Sequence, residues 1–208
     1  MFRTIFRIWA MYRTLRFLMA MVPLAGFGGA MYAGFPEVRS AFAHVLPTTV
    51  ATPNSVPTAD ITVGFSPGKA EAMVLDHIAS AKSTLDMEAY EFTNKTIAEA
   101  VRSAQRRGVK VRVIADQARI SGKYNAAVFL ANNQVSVRAS SPRYKIFHNK
   151  VLIVDGEAVQ TGSFNYTSAA VKSNAENVLI LRSKSVADTY TREFERLWAE
   201  SRPVPPAY

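Results

Sequence analysis

The stretch HNKVLIVDGEAVQTGSFN, from His148 to Asn165, predicts a strand, a tight turn and a second strand. The apolar run between Lys150 and Asp155 is typical of a short buried strand, and Asp155-Gly156 is a common hairpin turn. Residues 158–161 form the returning strand. The hairpin therefore brings the residues before its first strand and those after its second strand to one end of a sheet.

The side chains expected at that end suit a phosphate group. On an extended chain, positions i and i+2 share a face, so His148 projects beside Lys150, and Ser163 projects beside Asn165. The set combines an imidazole, a fixed cation, two neutral hydrogen-bond donors and the close backbone approach that Gly162 permits. These groups suit a phosphodiester, with the imidazole either attacking phosphorus or moving a proton.

The pattern HxKx4Dx6GSxN resembles the signature of the phospholipase D superfamily. The later run Asn174-Ala175-Glu176-Asn177, followed by Val178-Leu179-Ile180, strengthens the resemblance. Within that superfamily the chain most resembles the small, single-motif bacterial endonucleases of the Nuc type. The resemblance covers about residues 60–208 and does not extend to the N-terminus.

The resemblance implies a role for each matching position. His148 of one subunit attacks phosphorus to give a phosphohistidine, while His148 of a second subunit protonates the leaving oxygen. Lys150 and Asn165 bind the nonbridging phosphate oxygens and stabilise the charge of the transition state. Glu176 holds the ring nitrogen of histidine that does not react, and so fixes the tautomer.

Three further motif positions have supporting roles under the same resemblance. Ser163 supports the phosphate site, Gly162 leaves room for the phosphate, and Asp155 mainly orders the hairpin. The expected catalytic residues are His148, Lys150, Asn165, Glu176, Ser163 and Asp155. The expected substrate-binding residues are Lys150, Gly162, Ser163 and Asn165.

The resemblance also implies a homodimer with its catalytic centre on the two-fold axis, because single-motif members obtain a second motif by pairing. Neither His44 nor His77 begins a second copy of the motif. Two lysines and a transferable proton can do the work of a divalent cation, so we expect neither a metal nor a cofactor. The acidic residues Asp86 and Glu88, with Glu91, alternate along a strand and are better explained by solvation than by a metal site.

The N-terminal segment, residues 1–43, predicts export or membrane attachment. It holds five arginines, four of them among its first sixteen residues and the fifth at Arg39, and no charge from residue 17 to residue 35. Three interpretations stay open: a signal peptide cleaved after Ala41-Phe42-Ala43, an uncleaved membrane anchor, or a buried helix. The first two place the catalytic part in the periplasm, outside the cell, or tethered to the inner membrane.

Residues 44–59 are rich in Thr, Pro, Ser and Ala and predict a flexible linker. Residues 60–208 form the expected catalytic domain, in which strand and helix patterns alternate. Ser66-Pro67 is expected to start the first helix, as N-cap and first helical residue. The alternation predicts an α/β fold with a mixed β-sheet sandwiched between helices. The strand patterns are residues 61–65, 85–89, 109–116, 135–138, 151–154, 158–161 and 177–181, and the helix patterns are residues 67–81, 94–106, 124–132 and 186–198.

The net charge and residue composition limit the kinds of molecule that the chain could bind. The chain has 208 residues, a net charge of +9 and no cysteine, which excludes a disulfide framework and a thiolate metal site. A basic excess is compatible with nucleic acid or anionic lipid, and also with ordinary solubility. Basic and aromatic residues around the motif suit a nucleic-acid backbone and its bases, although core packing is the alternative for each aromatic ring. The residues concerned are Arg138, Arg143, Tyr144, Lys145, Phe147, Phe164 and Tyr166.

Three functions follow from the sequence. The leading hypothesis is a nonspecific, metal-independent endonuclease for DNA, with RNA left open as a further substrate. The second is a phospholipase D-type enzyme acting on membrane phospholipids, which the apolar residues 17–35 favour. The third is a nucleic-acid-binding or adaptor protein with a vestigial site, and the presence of every motif residue opposes it.

Overall fold

The computed structural model describes residues 60–120 and 125–207. Strands and helices alternate along most of this part of the chain. The strands are β1 (Asp60–Ser66), β2 (Thr84–Ala89), β3 (Lys110–Ala115), β4 (Ser136–Ala139), β5 (Lys150–Val154), β6 (Ala158–Gly162), β7 (Glu176–Arg182) and β8 (Arg202–Pro203). The helices are α1 (Ala70–Ser80), α2 (Lys95–Arg106), α3 (Ala126–Asn132), α4 (Ser168–Lys172) and α5 (Lys184–Glu200).

The described strands form one mixed sheet in the order β1-β7-β6-β5-β2-β3-β4-β8. Strand β3 runs parallel to β2 on one side and to β4 on the other. Parallel neighbours need a crossover connection, which α2 and α3 provide. The hairpin of β5 and β6 is antiparallel and occupies the middle of the sheet. The central position explains why all five residues of β5 are buried.

Apolar side chains fill both faces of the sheet. On one face, α1, α2 and α3 pack with Leu85, Met87 and Leu152 into the larger core cluster. On the other face, α5 packs against Val151 and Ile153 in a smaller cluster. The predicted class, an α/β fold with a mixed sheet between helices, is confirmed. The sheet therefore holds the hairpin rigidly and presents the segments at its ends.

The start of the first helix was predicted wrongly. Strand β1 continues to Ser66, and α1 begins at Ala70 after Lys69, whose side chain makes no cap hydrogen bond. The Ser66 hydroxyl donates instead to backbone carbonyls of α4, including that of Val171 at 3.0 Å. A Ser-Pro pair signals a helix start only when no tertiary acceptor competes for the serine hydroxyl.

Several predictions lie outside the described residues. They are the signal or anchor segment at residues 1–43, the linker at 44–59 and the first residue of the helix expected from Tyr124. Within residues 60–120 and 125–207, no helix is both long enough and apolar enough to cross a membrane.

Candidate active site

The candidate site is centred on His148 and Lys150 at the start of β5. His148 lies in the loop before the strand and is exposed, whereas Lys150 is the first residue of the strand and only 5% exposed. The Lys150 ammonium reaches back and donates a hydrogen bond of 2.9 Å to the backbone carbonyl of His148. Burial lowers the pKa of Lys150, and the negative charges of Glu176 and Glu91 oppose that shift. A cation is thereby fixed beside an accessible imidazole.

Tyr90, which the sequence analysis missed, forms the wall beside this pair. Its ring centroid lies 4.7 Å from that of His148, with the planes tilted by 56°. The Lys150 Nζ lies 5.1 Å from the same centroid, and the Arg119 guanidinium carbon lies 5.0 Å from it. Arg119 also donates a hydrogen bond of 2.5 Å to the Tyr90 hydroxyl. The sheet register explains this proximity, because β2 pairs with β5 and the Tyr90 N–H donates to the Asn149 carbonyl.

Ser163 and Glu176 form the second part of the site, at the ends of β6 and β7. The Ser163 hydroxyl donates a hydrogen bond of 2.5 Å to Glu176 Oε2. The same hydroxyl oxygen accepts from the backbone N–H of Asn177 at 3.1 Å, and Asn174 Nδ2 donates to the other Glu176 oxygen at 3.0 Å. Within the described part of a single chain, Glu176 makes no hydrogen bond to His148. Its role in fixing the histidine tautomer stays a prediction.

The structure explains why glycine occupies position 162. Its φ of +143° lies in the region that favours glycine, and a Cβ placed there would overlap the Asn177 carbonyl oxygen. The space beside Gly162 is thus filled by the β7 backbone. This glycine lets β6 and β7 approach closely and so places Ser163 against Asn177. The expectation that it also leaves room for phosphate stays a prediction.

Asn165 follows at the same end of the sheet and is half-buried. Its neighbours Phe164 and Tyr166 are fully buried, so they anchor the backbone on both sides of it. Among the residues that the structure describes, the buried Asn165 Oδ1 has no hydrogen-bond partner. Burying an amide oxygen without a hydrogen bond destabilises a protein, so such an atom needs an explanation. A side chain kept in place to bind a substrate or a second chain is one explanation.

Asp155 lies at the other end of β5, one residue beyond Val154. Its carboxylate accepts hydrogen bonds from the backbone N–H groups of Ser83 at 2.8 Å, Thr84 at 2.9 Å and Lys82 at 3.0 Å. Partial burial alone would raise the pKa of Asp155, but these hydrogen bonds outweigh it and lower the pKa to about 2. The contacts fit the interpretation of Asp155 as an ordering residue, placed about 16 Å along the strand from the site.

Two buried carboxylates fix the loop that carries His148. Asp116 accepts a hydrogen bond of 2.7 Å from the backbone N–H of Phe147. Glu88, only 2% exposed, accepts one of 2.6 Å from the Asn149 side chain. Burial raises the pKa of Glu88 to about 7, although the Asn149 hydrogen bond opposes the shift. His148 is therefore held through both of its neighbours in sequence.

The aromatic residues around the motif, for which base stacking and core packing were both open, are core residues. Phe147, Phe164 and Tyr166 are at most 4% exposed, and Tyr144 packs on the smaller core cluster. Arg138 lies over the Trp198 ring and donates to the Trp198 carbonyl, while Arg143 pairs with Glu200. Alternating polar and aromatic residues around a motif do not reveal which rings face solvent.

Asp86 and Glu88 of β2, and Glu91 just beyond the strand, have individual partners. Asp86 and Glu88 are buried, so the expectation that solvation explains them is wrong. Asp86 pairs with Arg112 at 2.7 Å, Glu88 binds Asn149, and Glu91 lies 3.7 Å from Arg119. Over residues 60–120 and 125–207, no group of three metal-ligating side chains is arranged to hold an ion. Independence from metal stays a prediction.

This arrangement places an accessible imidazole beside a fixed cation on a mixed α/β sheet, a combination of groups that suits a phosphate. A family model described as "Cardiolipin synthase, PLD-like domain" matches residues 74–198. The chain therefore belongs to the phospholipase D superfamily, as the motif predicted.

Named relatives and a solved structure support this assignment. The chain is 35% identical over 128 residues to a phospholipase D of Rickettsia felis, an alignment covering 62% of this chain and 64% of the relative. It is 35% identical over 133 residues to the mitochondrial cardiolipin hydrolase of Danio rerio, covering 63% of this chain and 58% of the relative. The chain thus spans less than two thirds of the length of these relatives.

The crystal structure of Nuc, a phospholipase D family member from Salmonella typhimurium, is similar with a TM-score of 0.68 and 35% identity. This similarity covers 71% of the present chain and 99% of Nuc.

Proposed function

We propose that the chain is an endonuclease that hydrolyses DNA, and RNA as a further substrate, through a phosphohistidine at His148 and without a metal. The observation that carries the proposal is the exposed imidazole of His148 beside the buried ammonium of Lys150. This geometry offers a nucleophile to solvent and keeps a positive charge where phosphate oxygens would gather.

Nucleic acid as substrate is supported by the charge at the site. Arg119, whose side chain is about half exposed, lies over the Tyr90 ring, and Lys145 is exposed in the loop before His148. A long polyanion can contact such residues while its backbone passes over His148. The net charge of +9 and the coverage of nearly all of Nuc support the same choice.

The reaction would proceed in two balanced steps. An imidazole nitrogen of His148 forms a bond to phosphorus as the bond to the leaving oxygen breaks, and that oxygen takes a proton from a second imidazole. Water then gives its proton to the second imidazole and attacks phosphorus, which breaks the P–N bond and frees His148. Lys150 and Asn165 bind the nonbridging oxygens in both steps.

The second imidazole would come from a second copy of the chain. The full sequence has three histidines, of which only His148 stands in the motif, and His77 is buried in α1. We therefore expect a homodimer whose two His148 side chains face each other across a two-fold axis. Export to the periplasm, or attachment to the inner membrane through residues 17–35, belongs to the same proposal.

Hydrolysis of membrane phospholipids is the second candidate. Relatives named phospholipase D and mitochondrial cardiolipin hydrolase favour it. Exposed apolar side chains of β1 also favour it, because an interfacial enzyme needs an apolar surface near its site.

The test uses the purified full chain in EDTA with plasmid DNA and, separately, with vesicles of phosphatidylcholine or cardiolipin. We expect nicked DNA and intact lipid, with loss of nicking in His148→Ala. Ile146→Ala, an exposed apolar change in the same loop, is the matched control and should nick normally.

A labelled oligonucleotide should leave an acid-labile, alkali-stable label on the protein, as expected of a P–N bond. Lipid cleavage with intact DNA would instead establish the second candidate. Cleavage of neither substrate would favour a vestigial site.

A further inference from the structure

Arg119 is a cation beside the candidate site that neither step of the proposed reaction uses. It lies in the turn after β3, and about half of its side chain is exposed. Its guanidinium carbon lies 5.0 Å from the centroid of the Tyr90 ring, and its Nη2 donates a hydrogen bond of 2.5 Å to the Tyr90 hydroxyl. The ring and the hydroxyl together fix the position in which this charge is presented.

The protein matches the charge of Arg119 only weakly. Among the described residues, the carboxylate that pairs with it is that of Glu91, at 3.7 Å, which is beyond hydrogen-bond distance. A guanidinium has five N–H donors, and within residues 60–120 and 125–207 the Arg119 side chain donates only to Tyr90. Such an exposed, weakly paired arginine contributes little to stability, and most of its hydrogen-bonding capacity is available to a ligand.

Arg119 and Lys150 contact the same Tyr90 ring. The Lys150 Nζ lies 5.1 Å from the ring centroid and the Arg119 guanidinium carbon 5.0 Å from it, so the sum of these distances limits the separation of the two cations to about 10 Å. Along one DNA strand, phosphates follow each other at roughly 3.4 Å of helical rise. When Lys150 binds the phosphate under attack, Arg119 can therefore reach a phosphate up to about three nucleotides away.

We infer that Arg119, oriented by Tyr90, is a second phosphate subsite, which binds a neighbouring phosphate of the strand that is cleaved at His148. This inference rests on the proposed function, and it narrows the substrate to a nucleic acid with more than one phosphodiester. A guanidinium binds phosphate through paired N–H donors. Because the Tyr90 ring already holds the side chain, binding orders less of it than it would order of a mobile arginine.

The place of Arg119 in the sheet favours a nucleic-acid strand over a lipid. The exposed apolar residues Ile61, Val63 and Phe65 lie on β1, at one edge of the sheet, whereas Arg119 follows β3. Strands β7, β6, β5 and β2 separate β1 from β3. A membrane resting on β1 would lie across these strands from Arg119, whereas an extended polyanion can pass over His148 and reach it.

The test compares Arg119→Gln with Arg182→Gln in the full chain. Arg182 is the matched control, because its side chain is 51% exposed, against 49% for Arg119, and its ion pair with Asp60 is similarly long at 3.5 Å. It is the last residue of β7, whereas Glu176 of the candidate site is the first. Binding of a fluorescent single-stranded oligonucleotide is measured in EDTA at several salt concentrations, in a His148→Ala background that prevents cleavage.

Arg119→Gln should weaken binding about threefold to fivefold at low salt. It should also lower the slope of log Kd against log salt by about 0.7, the value for one phosphate contact of a single strand. Oligonucleotides of different sequence should show the same loss, because a phosphate contact carries no sequence information. Arg182→Gln should change neither quantity, and circular dichroism should show every variant folded.

Arg119→Lys separates charge from structure. It keeps the positive charge and should therefore keep the salt slope of the unmodified chain. Equal losses of slope in Arg119→Lys and Arg119→Gln would show that the substitution disturbs the structure around Tyr90, and would overturn the inference.

Cleavage of a substrate with a single phosphodiester gives a second readout. In chains that retain His148, Arg119→Gln should raise KM more for an oligonucleotide than for bis(4-nitrophenyl) phosphate, which has no neighbouring phosphate. Equal increases in KM for the two substrates would overturn the inference.

The outcomes distinguish the subsite from the proposed function. If the unmodified chain cleaves the oligonucleotide and Arg119→Gln keeps its salt slope, the subsite is overturned and the proposed function stands. Cleavage of bis(4-nitrophenyl) phosphate, with neither binding nor cleavage of the oligonucleotide, would overturn both. Loss of cardiolipin hydrolysis in Arg119→Gln at unchanged oligonucleotide binding would also overturn the inference, in favour of a lipid with two phosphates.

Discussion

The Asp116 carboxylate accepts a 2.7 Å hydrogen bond from the backbone N–H of Phe147, the residue before His148. Its other oxygen accepts from the N–H groups of Ala118 at 3.0 Å and Arg119 at 3.2 Å. One buried side chain thereby joins the loop of His148 to the turn that carries Arg119. We interpret Asp116 as a positioning residue for both groups.

Asp116→Ala should lower kcat about 100-fold with little change in KM, since a displacement of about 1 Å at a nucleophile has an effect of that size. Asp116→Asn should recover much of this loss, because its amide oxygen can still accept from Phe147. Steady-state kinetics of both variants on a defined oligonucleotide check the prediction. Equal losses in the two variants would show that charge, and not position, is what Asp116 contributes.

Tyr90 is expected to support His148 through its ring. Tyr90→Ala removes the ring from His148, Lys150 and Arg119 together, and the loss of these contacts, about 1 kcal/mol, should lower kcat/KM about fivefold to tenfold. Tyr90→Phe keeps the ring and loses only the hydroxyl that accepts from Arg119. Its activity should stay within about twofold of the unmodified chain. Activity of Tyr90→Ala equal to that of Tyr90→Phe would contradict the prediction.

Gly162→Ala should destabilise the protein by about 3 kcal/mol, because the added methyl group meets the Asn177 carbonyl in an unfavourable backbone conformation. Gly156→Ala is the matched control: its φ is +65°, and nothing lies within 4 Å of the added group. It should cost only about 1 kcal/mol, from backbone strain alone. Urea unfolding of both variants measures the difference, and similar costs would show that the close approach of β6 and β7 can relax.

Local patterns predicted much of the fold. The strand positions around β5, β6 and β7 and the class of the sheet were correct, because buried strands carry continuous apolar runs that identify them without tertiary information. The five-residue helix α4 and the two-residue strand β8 were missed, since neither is long enough to show a period.

The motif identified His148 and Lys150, but not what surrounds them. Tyr90 and Asp116 reach the site through the pairing of β2 with β5 and of β2 with β3, and strand order cannot be read from local spacing. Whether an aromatic residue near the motif is core or surface depends on the same order. That is why the sequence left both core packing and base stacking open for Phe164 and Tyr166, and the structure decides for core packing.

Asp155 should stabilise the protein in a pH-dependent way. Its folded-state pKa of about 2 is below its ordinary value of 3.8, so its contribution is present above pH 3.8 and is lost as the pH falls towards 2. Asp155→Asn should lower the free energy of unfolding by about 1 kcal/mol at neutral pH, a value reduced for solvent screening. Denaturant unfolding of both proteins should show this difference shrinking between pH 4 and pH 2. A difference that stays constant over this range would assign the effect to hydrogen-bond geometry alone.

Glu88 should give the stability a pH dependence of the opposite sign to that of Asp155. Burial raises its folded-state pKa from 4.5 to about 7, so the folded protein resists ionisation of this carboxyl and loses stability as the pH rises from 4.5 through 7. The carboxylates of Glu193 and Asp86 reinforce the shift, and the Asn149 hydrogen bond and Arg196 oppose it.

Glu88→Gln keeps an oxygen for Asn149 without a titrating group, and should remove at most about 3 kcal/mol of pH dependence. Unfolding free energies measured across this range, with Glu157→Gln as an exposed control, test the prediction. If the two proteins give parallel curves of unfolding free energy against pH, Glu88 does not titrate between pH 4.5 and 7. The Glu88 carboxyl that holds the loop of His148 would then keep one protonation state over this range.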